Sequence, residues 1–556
     1  MKNIYKACLI LLLVCIATVF TYGQNWQWAH SGGNSATTPP DRGINVVVGN
    51  NGNIYSLGVF TSSIYLDSNY YIGSFGARFI AEFSPAGICE KAILSHKENI
   101  NDGGAALYNF NKDSRGNMYM SGQLSDSYVF DTVLAEGSVG GFLAKFNPSA
   151  RCVWVKSFIA NGNRGVAFDE QHNIYSIGDV IYNNTYIDTF ALHNLSSTIK
   201  PKMYIAKLDS TGKCQWVKQS YGSGARTEFR NVKVAGNNVY ASGFMVDSCA
   251  SFDNNTYCIN ASFLMKLDTS GALQWLVPLN RLSGLAGFGK IGVDNNHNCY
   301  GVGTFDGNVD VGGDTLYKQS GQIASFIIKY DTSGSVVWKR QIYSDSSVIE
   351  TSSHTDITGN TYITGTFSGT AIFGNDTVTA TPGSGAFNTI ARNMFVTRYD
   401  ANGNCLGVKT AYNATPESIA TDTYGNAILT GSIFNTAFFD TIQRTSRGGE
   451  DYFVAKLSAI IGGSSSIKTP VADNKLMIYA NPNRGNFTID VPKSIVTNTT
   501  AHLQIYNTAG SLIKDEKVDI SGSSISVDLG TVLKGLYTVT LSGSSFKRFT
   551  GKVMVE

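Results

Sequence analysis

Asn173-Ile174-Tyr175-Ser176-Ile177-Gly178, followed by Ile205-Ala206-Lys207-Leu208-Asp209-Ser210-Thr211-Gly212 and then Trp216, is the stretch that decides the fold. Its opening phrase returns as Asn53-Ile54-Tyr55 with Gly58, Asn117-Met118-Tyr119 with Gly122, and Asn238-Val239-Tyr240 with Gly243. It returns again as Asn298-Cys299-Tyr300 with Gly303, Asn360-Thr361-Tyr362 with Gly365 and, more loosely, Asn426-Ala427-Ile428 with Gly431. The third residues of successive phrases lie 64, 56, 65, 60, 62 and 66 positions apart. So regular a period marks the duplication of one supersecondary unit.

Each unit carries four landmarks. A short apolar run (Ile44 to Val48, Val232 to Val234) precedes the phrase. A Phe-Asp-Thr-like triplet follows it, as at Phe130-Asp131-Thr132, Ile187-Asp188-Thr189 and Phe439-Asp440-Thr441. Last comes a strand, an Asp-x-x-Gly turn and a strand bearing Trp, as at Leu264 to Trp275. Ile, Val, Tyr, Phe and Trp suit pleated, half-buried surfaces. Asp and Gly supply a side-chain bond to the backbone and a positive φ at a turn. One unit therefore reads as four short antiparallel strands, too few to bury their own apolar face. Such units stack radially as propeller blades, here with loops longer than usual. A β-solenoid fits less well, because its coils are usually shorter.

The seventh unit stops at Phe453-Val454-Ala455-Lys456-Leu457 without its Trp-bearing strand, whereas Asn25-Trp26-Gln27-Trp28-Ala29 stands spare before the first unit. That segment matches Cys214-Gln215-Trp216-Val217. The expectation is an all-β, seven-bladed propeller over residues 24–458, closed by Trp26 and Trp28, which removes two exposed edges. These repeats resemble the bacterial β-propeller repeats known as SBBP repeats, a likeness that speaks for the fold and leaves the function open.

The two ends give an address. Lys2 and Lys6, an apolar run from Ala7 to Phe20 and Thr21-Tyr22-Gly23 read as a secretory signal over residues 1–23. That run is too short for a stable membrane span, and no other stretch reads as one. Ser464-Ser465-Ser466 and neighbouring glycines mark a flexible linker at 459–473. Residues 474–556 then read as a small β-sandwich, Ig-like, from strands separated by turns. Here Asn481-Pro482, Gly485, Phe487, Tyr506, Gly510, Gly535, Tyr537 and Lys552 resemble the type A C-terminal sorting domain of the type IX secretion system, a Bacteroidota family. The resemblance implies export through the periplasm and across the outer membrane. The type IX machinery and its sortase are the implied partners, and the product is released or anchored at the outer cell surface.

Composition narrows the function. The formal net charge is +2 and charged residues make up 15%, which gives no electrostatic case for nucleic acid. Cys89, Cys152, Cys214 and Cys405 share one slot in four units and read as small buried residues. Cys249 and Cys258 sit nine apart in one loop of an exported chain, where a disulfide is expected. Cys299 falls in no such pattern. His172 and His297 sit at turns of the phrase. No catalytic motif occurs, and the Asp-rich turns lack a calcium ladder and its closing Glu. No cofactor or metal is expected.

Propellers bind around the central channel, and Arg42, Arg164, Arg226 and Arg230 enter the first strands there. They form a polar rim suited to an anionic or sugar ligand. The expected function is a non-catalytic binding or adhesion protein with a glycan or protein ligand. The alternative is a secreted polysaccharide hydrolase or lyase whose carboxylates assemble at the channel mouth.

Overall fold

The computed structural model describes residues 25–555 except 36–39, 74–75, 99–103, 137–139, 159–161, 184, 195–199, 223, 319–320, 382–392, 461–475, 480–482, 492–498, 508–510, 523, 531, 533 and 544–545. The expected signal, most of the expected linker, and Asn481, Pro482 and Gly510 lie outside the described residues. The chain divides into two compact units between Gly462 and Gly463, each described by itself. Every regular element described is a β-strand. No helix among the described residues is long and apolar enough to cross a membrane.

Residues 25–460 form successive antiparallel modules in a β-propeller-like arrangement. The third is representative: Gly162–Phe168, Ile174–Val180, Lys202–Leu208 and Cys214–Gln219 pair in that order. The first strands stand side by side from unit to unit. Arg42–Val48 of the first unit packs against both Ala105–Lys112 of the second and the long strand Cys405–Thr421. That long strand serves twice. Its first half is the outer strand of the sixth unit and its second half the first strand of the seventh. Trp26–Gly33 pairs antiparallel with Ile442–Leu457, the third strand of the seventh unit. Trp26 lies opposite Leu457 and Trp28 opposite Lys456, the register in which Cys214 and Trp216 oppose Leu208 and Lys207.

The repeat phrase is a packed turn. In the second unit the Asp113 carboxylate accepts from the Asn117 backbone and side-chain nitrogens (2.9 and 2.8 Å) and from Tyr119 Oη (3.3 Å). A cation of the third strand caps the same ring: Lys145 Nζ lies 5.5 Å from the Tyr119 centroid and Lys329 Nζ 5.2 Å from that of Tyr300. The phrase tyrosines rank among the most completely buried side chains, as such ring burial with a satisfied hydroxyl requires.

Two seams join neighbouring units. On one side the outer-strand Trp lies over the turn glycine of the next unit. Trp216, Trp275 and Trp338 donate Nε1–H to the carbonyls of Thr269, Thr332 and Ala401 at 3.3, 3.1 and 3.0 Å. A Cβ at Gly403 would meet Trp338 at 2.8 Å, and its φ is +78°, so only glycine fits beneath the indole. Trp28 lies against Gly87 in the same way.

The other seam departs from the sequence reading, which gave each unit four strands. The residues between second and third strands are more than loop: they form an additional hairpin turning at the Phe-Asp-Thr triplet. This hairpin extends the sheet of the preceding unit. Tyr128–Phe130 pairs with Cys89–Lys97, Val309–Val311 with Leu273–Arg281, and Ser63–Leu66 with Trp26–Gly33. The triplet Asp has positive φ, 57° at Asp131 and 47° at Asp253, a conformation Asp tolerates. Its carboxylate binds two units together. Asp253 accepts from the Leu273 N–H (2.8 Å) of its own unit and pairs with Lys218 (2.7 Å) of the preceding one. Asp440 does the same with the Trp26 N–H (3.3 Å) and Lys409 (2.7 Å). The hairpins of the first, second, fifth and sixth units thereby cover outer edges that would otherwise be unpaired, whereas Thr185–Ile187 with Phe190–Leu192 stays a separate two-stranded sheet.

Cys249 and Cys258 form a disulfide that brackets the fourth unit's hairpin, Ala250–Phe252 with Asn255–Tyr257. This hairpin is joined to the third unit only by the bridge Tyr221 to Ser251. Cys89, Cys152, Cys214, Cys299 and Cys405 are free thiols. Burial pushes the first three up to about 12, so they are inert as nucleophiles.

The C-terminal unit has two antiparallel sheets. Met477–Tyr479, Asn486–Asp490 and Ser524–Asp528 form one; Leu512–Ile520, Thr499–Tyr506, Gly535–Gly543 and Phe546–Val555 form the other. Ile489 and Val527 of the first share one apolar cluster with Leu503, Val539 and Val553 of the second. Phe487 and Tyr537 are buried in that cluster. Gly485, at φ +103°, turns the chain where Asn483 Oδ1 caps its N–H at 2.7 Å. Tyr506 bonds Gln504 (3.1 Å), Gly535 opens its strand, and Lys552 pairs in register with Thr538 on the exposed side.

Candidate functional site: the cavity between the first strands

A cavity of about 970 Å³ is walled by the first strands of all seven units. A β-bulge recurs in each strand, opposite the glycine that ends the repeat phrase. The extra residues are Ile44, Tyr108, Arg164, Arg230, Gly289, Thr351 and Glu417. Bulges turn a side chain out of the ladder, and all of these but Gly289 line the cavity. Frame and wall thus obey different rules: the bulge position is constant, while its residue varies among Ile, Tyr, Arg, Gly, Thr and Glu.

Of the four arginines expected at the rim, Arg42, Arg164 and Arg230 line this cavity. Arg226 lines a neighbouring recess of about 490 Å³ with Arg164, Asp179, Lys200 and Glu228. Arg164, Arg226 and Arg230 converge on Glu228, at 3.7, 2.7 and 3.4 Å. Arg164 also pairs with Asp179 at 2.8 Å. Three guanidiniums against two buried carboxylates leave a positive excess. Aromatic rings hold them in place: Arg164 lies 4.8 Å from the Tyr108 centroid, and Arg226 and Arg230 lie 5.2 and 5.0 Å from that of Phe244.

The cations inside the cavity escaped the sequence reading. Arg78, Lys112, Lys233 and Lys290 also line it, and Glu417 is its one carboxylate among the described residues. Lys112 donates to Asn50 Oδ1 at 2.7 Å. Lys233 and Lys290 make no ion pair or hydrogen bond among the described residues. Desolvation, then the charge of Lys290, lowers the Lys233 ammonium to about 8. Desolvation likewise lowers Lys290, against the opposing pull of Glu350 and Glu417. Burial and then Lys233 hold His354 down at about 4, neutral at ordinary pH. Burial raises Glu350 to about 7 and also raises Glu417. The sequence signal was present: Lys233 splits the Val232–Val234 apolar run and Lys290 interrupts an otherwise apolar or small-residue strand, on the rows facing Tyr240 and Val302.

The wall between these charges is polar, with Asn45, Asn109, Asn111, Asn231, Ser352 and Ser353. Among the described residues no group of three or more His, Cys, Asp or Glu is placed to hold a metal ion. Chemically, the site is a hydrogen-bonding, positively charged cleft of ligand size.

A family model for the secretion system C-terminal sorting domain matches residues 477–556. The chain is therefore exported by type IX secretion, to the cell surface or beyond it, and its C-terminal unit engages that machinery. No curated protein matches the chain. Among solved structures it is similar to the Dos1 propeller, with 8% identity, TM-score 0.39, 77% of this chain and 95% of that one covered. It is also similar to prolyl oligopeptidase B from Galerina marginata, with 10% identity, TM-score 0.31, 71% of this chain and 55% of that one covered.

Proposed function

We propose that the chain is an exported, non-catalytic binding or adhesion protein that takes a glycan or protein ligand at the mouth of its cavity. The observation that carries this reading is the cavity wall, where one carboxylate faces several arginines and lysines. On this reading residues 24–458 are a closed seven-bladed propeller of SBBP type from a Bacteroidota source. Support for closure is the occupation by Trp26 and Trp28 of the slots that Cys214 and Trp216 hold elsewhere. Residues 1–23 are a secretory signal, 459–473 a linker, and 474–556 an Ig-like sandwich read by the type IX machinery and its sortase. Glycan-array and cell-binding assays on the full exported chain test the reading. Salt-sensitive binding to a surface polymer is expected, and no binding to any of them overturns it.

The second reading, a polysaccharide hydrolase or lyase, draws on one observation. Glu350 and Glu417, both raised by burial, act on the same Lys290, and carboxyls raised by burial serve as the acids of such chemistry. Release of reducing ends from a polysaccharide panel, abolished by Glu417→Gln, would establish it in place of the first.

A further inference from the structure

Lys233 and Lys290 stand on adjacent first strands, in the fourth and fifth units, which pack side by side. Both reach the same cavity, and neither ammonium has a partner among the described residues. Two like charges held close on a half-buried wall destabilise a fold unless something opposes them. Elsewhere in this unit of the chain lysines are matched: Lys218 by Asp253 and Lys409 by Asp440, at 2.7 Å each. Here no carboxylate among the described residues comes within ion-pair distance, and Glu350 and Glu417 act on Lys290 only from farther off. The wall offers amides and hydroxyls, and the side-chain oxygens of Asn231, on the strand of Lys233, and of Asn109, on the second unit's first strand, are buried without a partner. Unsatisfied hydrogen-bonding groups beside unpaired cations describe the complement of a ligand that is both anionic and rich in hydroxyls.

We propose that this cavity binds an acidic oligosaccharide, with Lys233 and Lys290 gripping a carboxylate or sulfate on the sugar while Asn109 and Asn231 meet neighbouring hydroxyls. The proposal rests on the binding reading above and assigns its ligand class. An acidic peptide supplies the charge but not the density of hydroxyls that the wall is built to meet.

Calorimetric titration of the full exported chain tests it with four probes: an oligogalacturonate, a sulfated galactan oligosaccharide, a neutral oligosaccharide of equal length and a polyglutamate peptide. At least one acidic sugar is expected to bind ten-fold or more tightly than the neutral one. Which of the two acidic sugars binds separates carboxylate from sulfate. Lys233→Met and Lys290→Met are each expected to weaken that binding at least ten-fold while holding or raising the melting temperature, because each removes a half-buried charge that no ion pair offsets. Lys233→Arg should retain binding. A lysine of purely structural value would instead lower the melting temperature when replaced. Equal affinity for the neutral sugar, or binding indifferent to both lysines, overturns the proposal and leaves the binding reading standing. Polyglutamate binding as tightly overturns the sugar assignment, and failure to bind any array polymer overturns the binding reading itself.

Discussion

The seams between units and the wall of the cavity are built from the same repeat, and they treat charge in opposite ways. At the seams the same pieces recur in most copies. An Asp on a positive-φ turn takes a backbone N–H from its own unit, and at Asp253 and Asp440 a cation from the one before; Gly312 and Gly374 stand at that turn in the fifth and sixth units. The indoles of Trp154, Trp216, Trp275 and Trp338 cover the next unit's glycine. In the wall the backbone repeats, down to the bulge, but the side chains do not. Tyr108, Arg164, Arg230, Thr351 and Glu417 occupy one equivalent position. Pairing follows the same division: Lys218 and Lys409 are neutralised by carboxylates, Lys233 and Lys290 are not. Where a repeat is faithful it specifies a fold, and where it varies on a conserved frame it specifies a surface.

Mutations can break or sharpen this contrast. The largest effect is expected at the seam that Trp26 completes. Its ring is 5% exposed and meets Phe439 edge-on at 5.0 Å, so Trp26→Ala should cost about 3–5 kcal/mol, measured by denaturant unfolding. The wall should respond in the reverse sense. Lys233 titrates near 8 in the fold against a model value of 10.5. Between those values the unfolded chain binds more protons than the native one. Stability therefore rises as pH climbs from 8 to 10.5, by at most about 3 kcal/mol. Lys233→Met should flatten that rise in thermal melts across the range, and a rise that persists in the variant would assign it to another group. The disulfide comes next. Cys249→Ser with Cys258→Ser opens a short surface hairpin and should cost at most about 2–3 kcal/mol. The loss should be concentrated in hydrogen exchange of Ala250–Tyr257 and global unfolding little moved. Smallest is Asp253→Asn, which keeps the turn conformation and one acceptor but loses the charge toward Lys218. About 1 kcal/mol is expected, read from the same unfolding curves.

Much of the frame was legible because it repeats. The Asn-x-Tyr-x-x-Gly phrase located the second strands, Asp-x-x-Gly located the turns before the outer strands, and the spare Trp26-Gln27-Trp28 matched an outer strand by its own letters. The additional hairpins were not legible as pairing partners, although their Phe-Asp-Thr turns stood out. Three-residue strands carry too little alternation to announce themselves, and their partners belong to another unit some thirty residues earlier. The wall was half legible. Charges at strand entrances such as Arg42 and Arg164 stand out beside a loop, whereas Lys233 sits inside an apolar run. Its lack of a counter-charge is a fact of three-dimensional placement. The convergence of Arg164, Arg226 and Arg230 on Glu228 likewise joins two units and has no signature along the chain.

The pairing of Trp26–Gly33 with Ile442–Leu457 also sets a clock. Asn25 and Ser458 bond across 433 positions, so Trp26–Gly33 finds its neighbour only once the far end of the repeat array is in place. Until the seventh unit emerges, the chain travels with two unmatched edges and a hairpin, Ser63–Leu66, that has nothing to lean on. Contacts this distant in sequence form slowly. In this late latch the array of units has a structural reason to stay open until its last unit is in place.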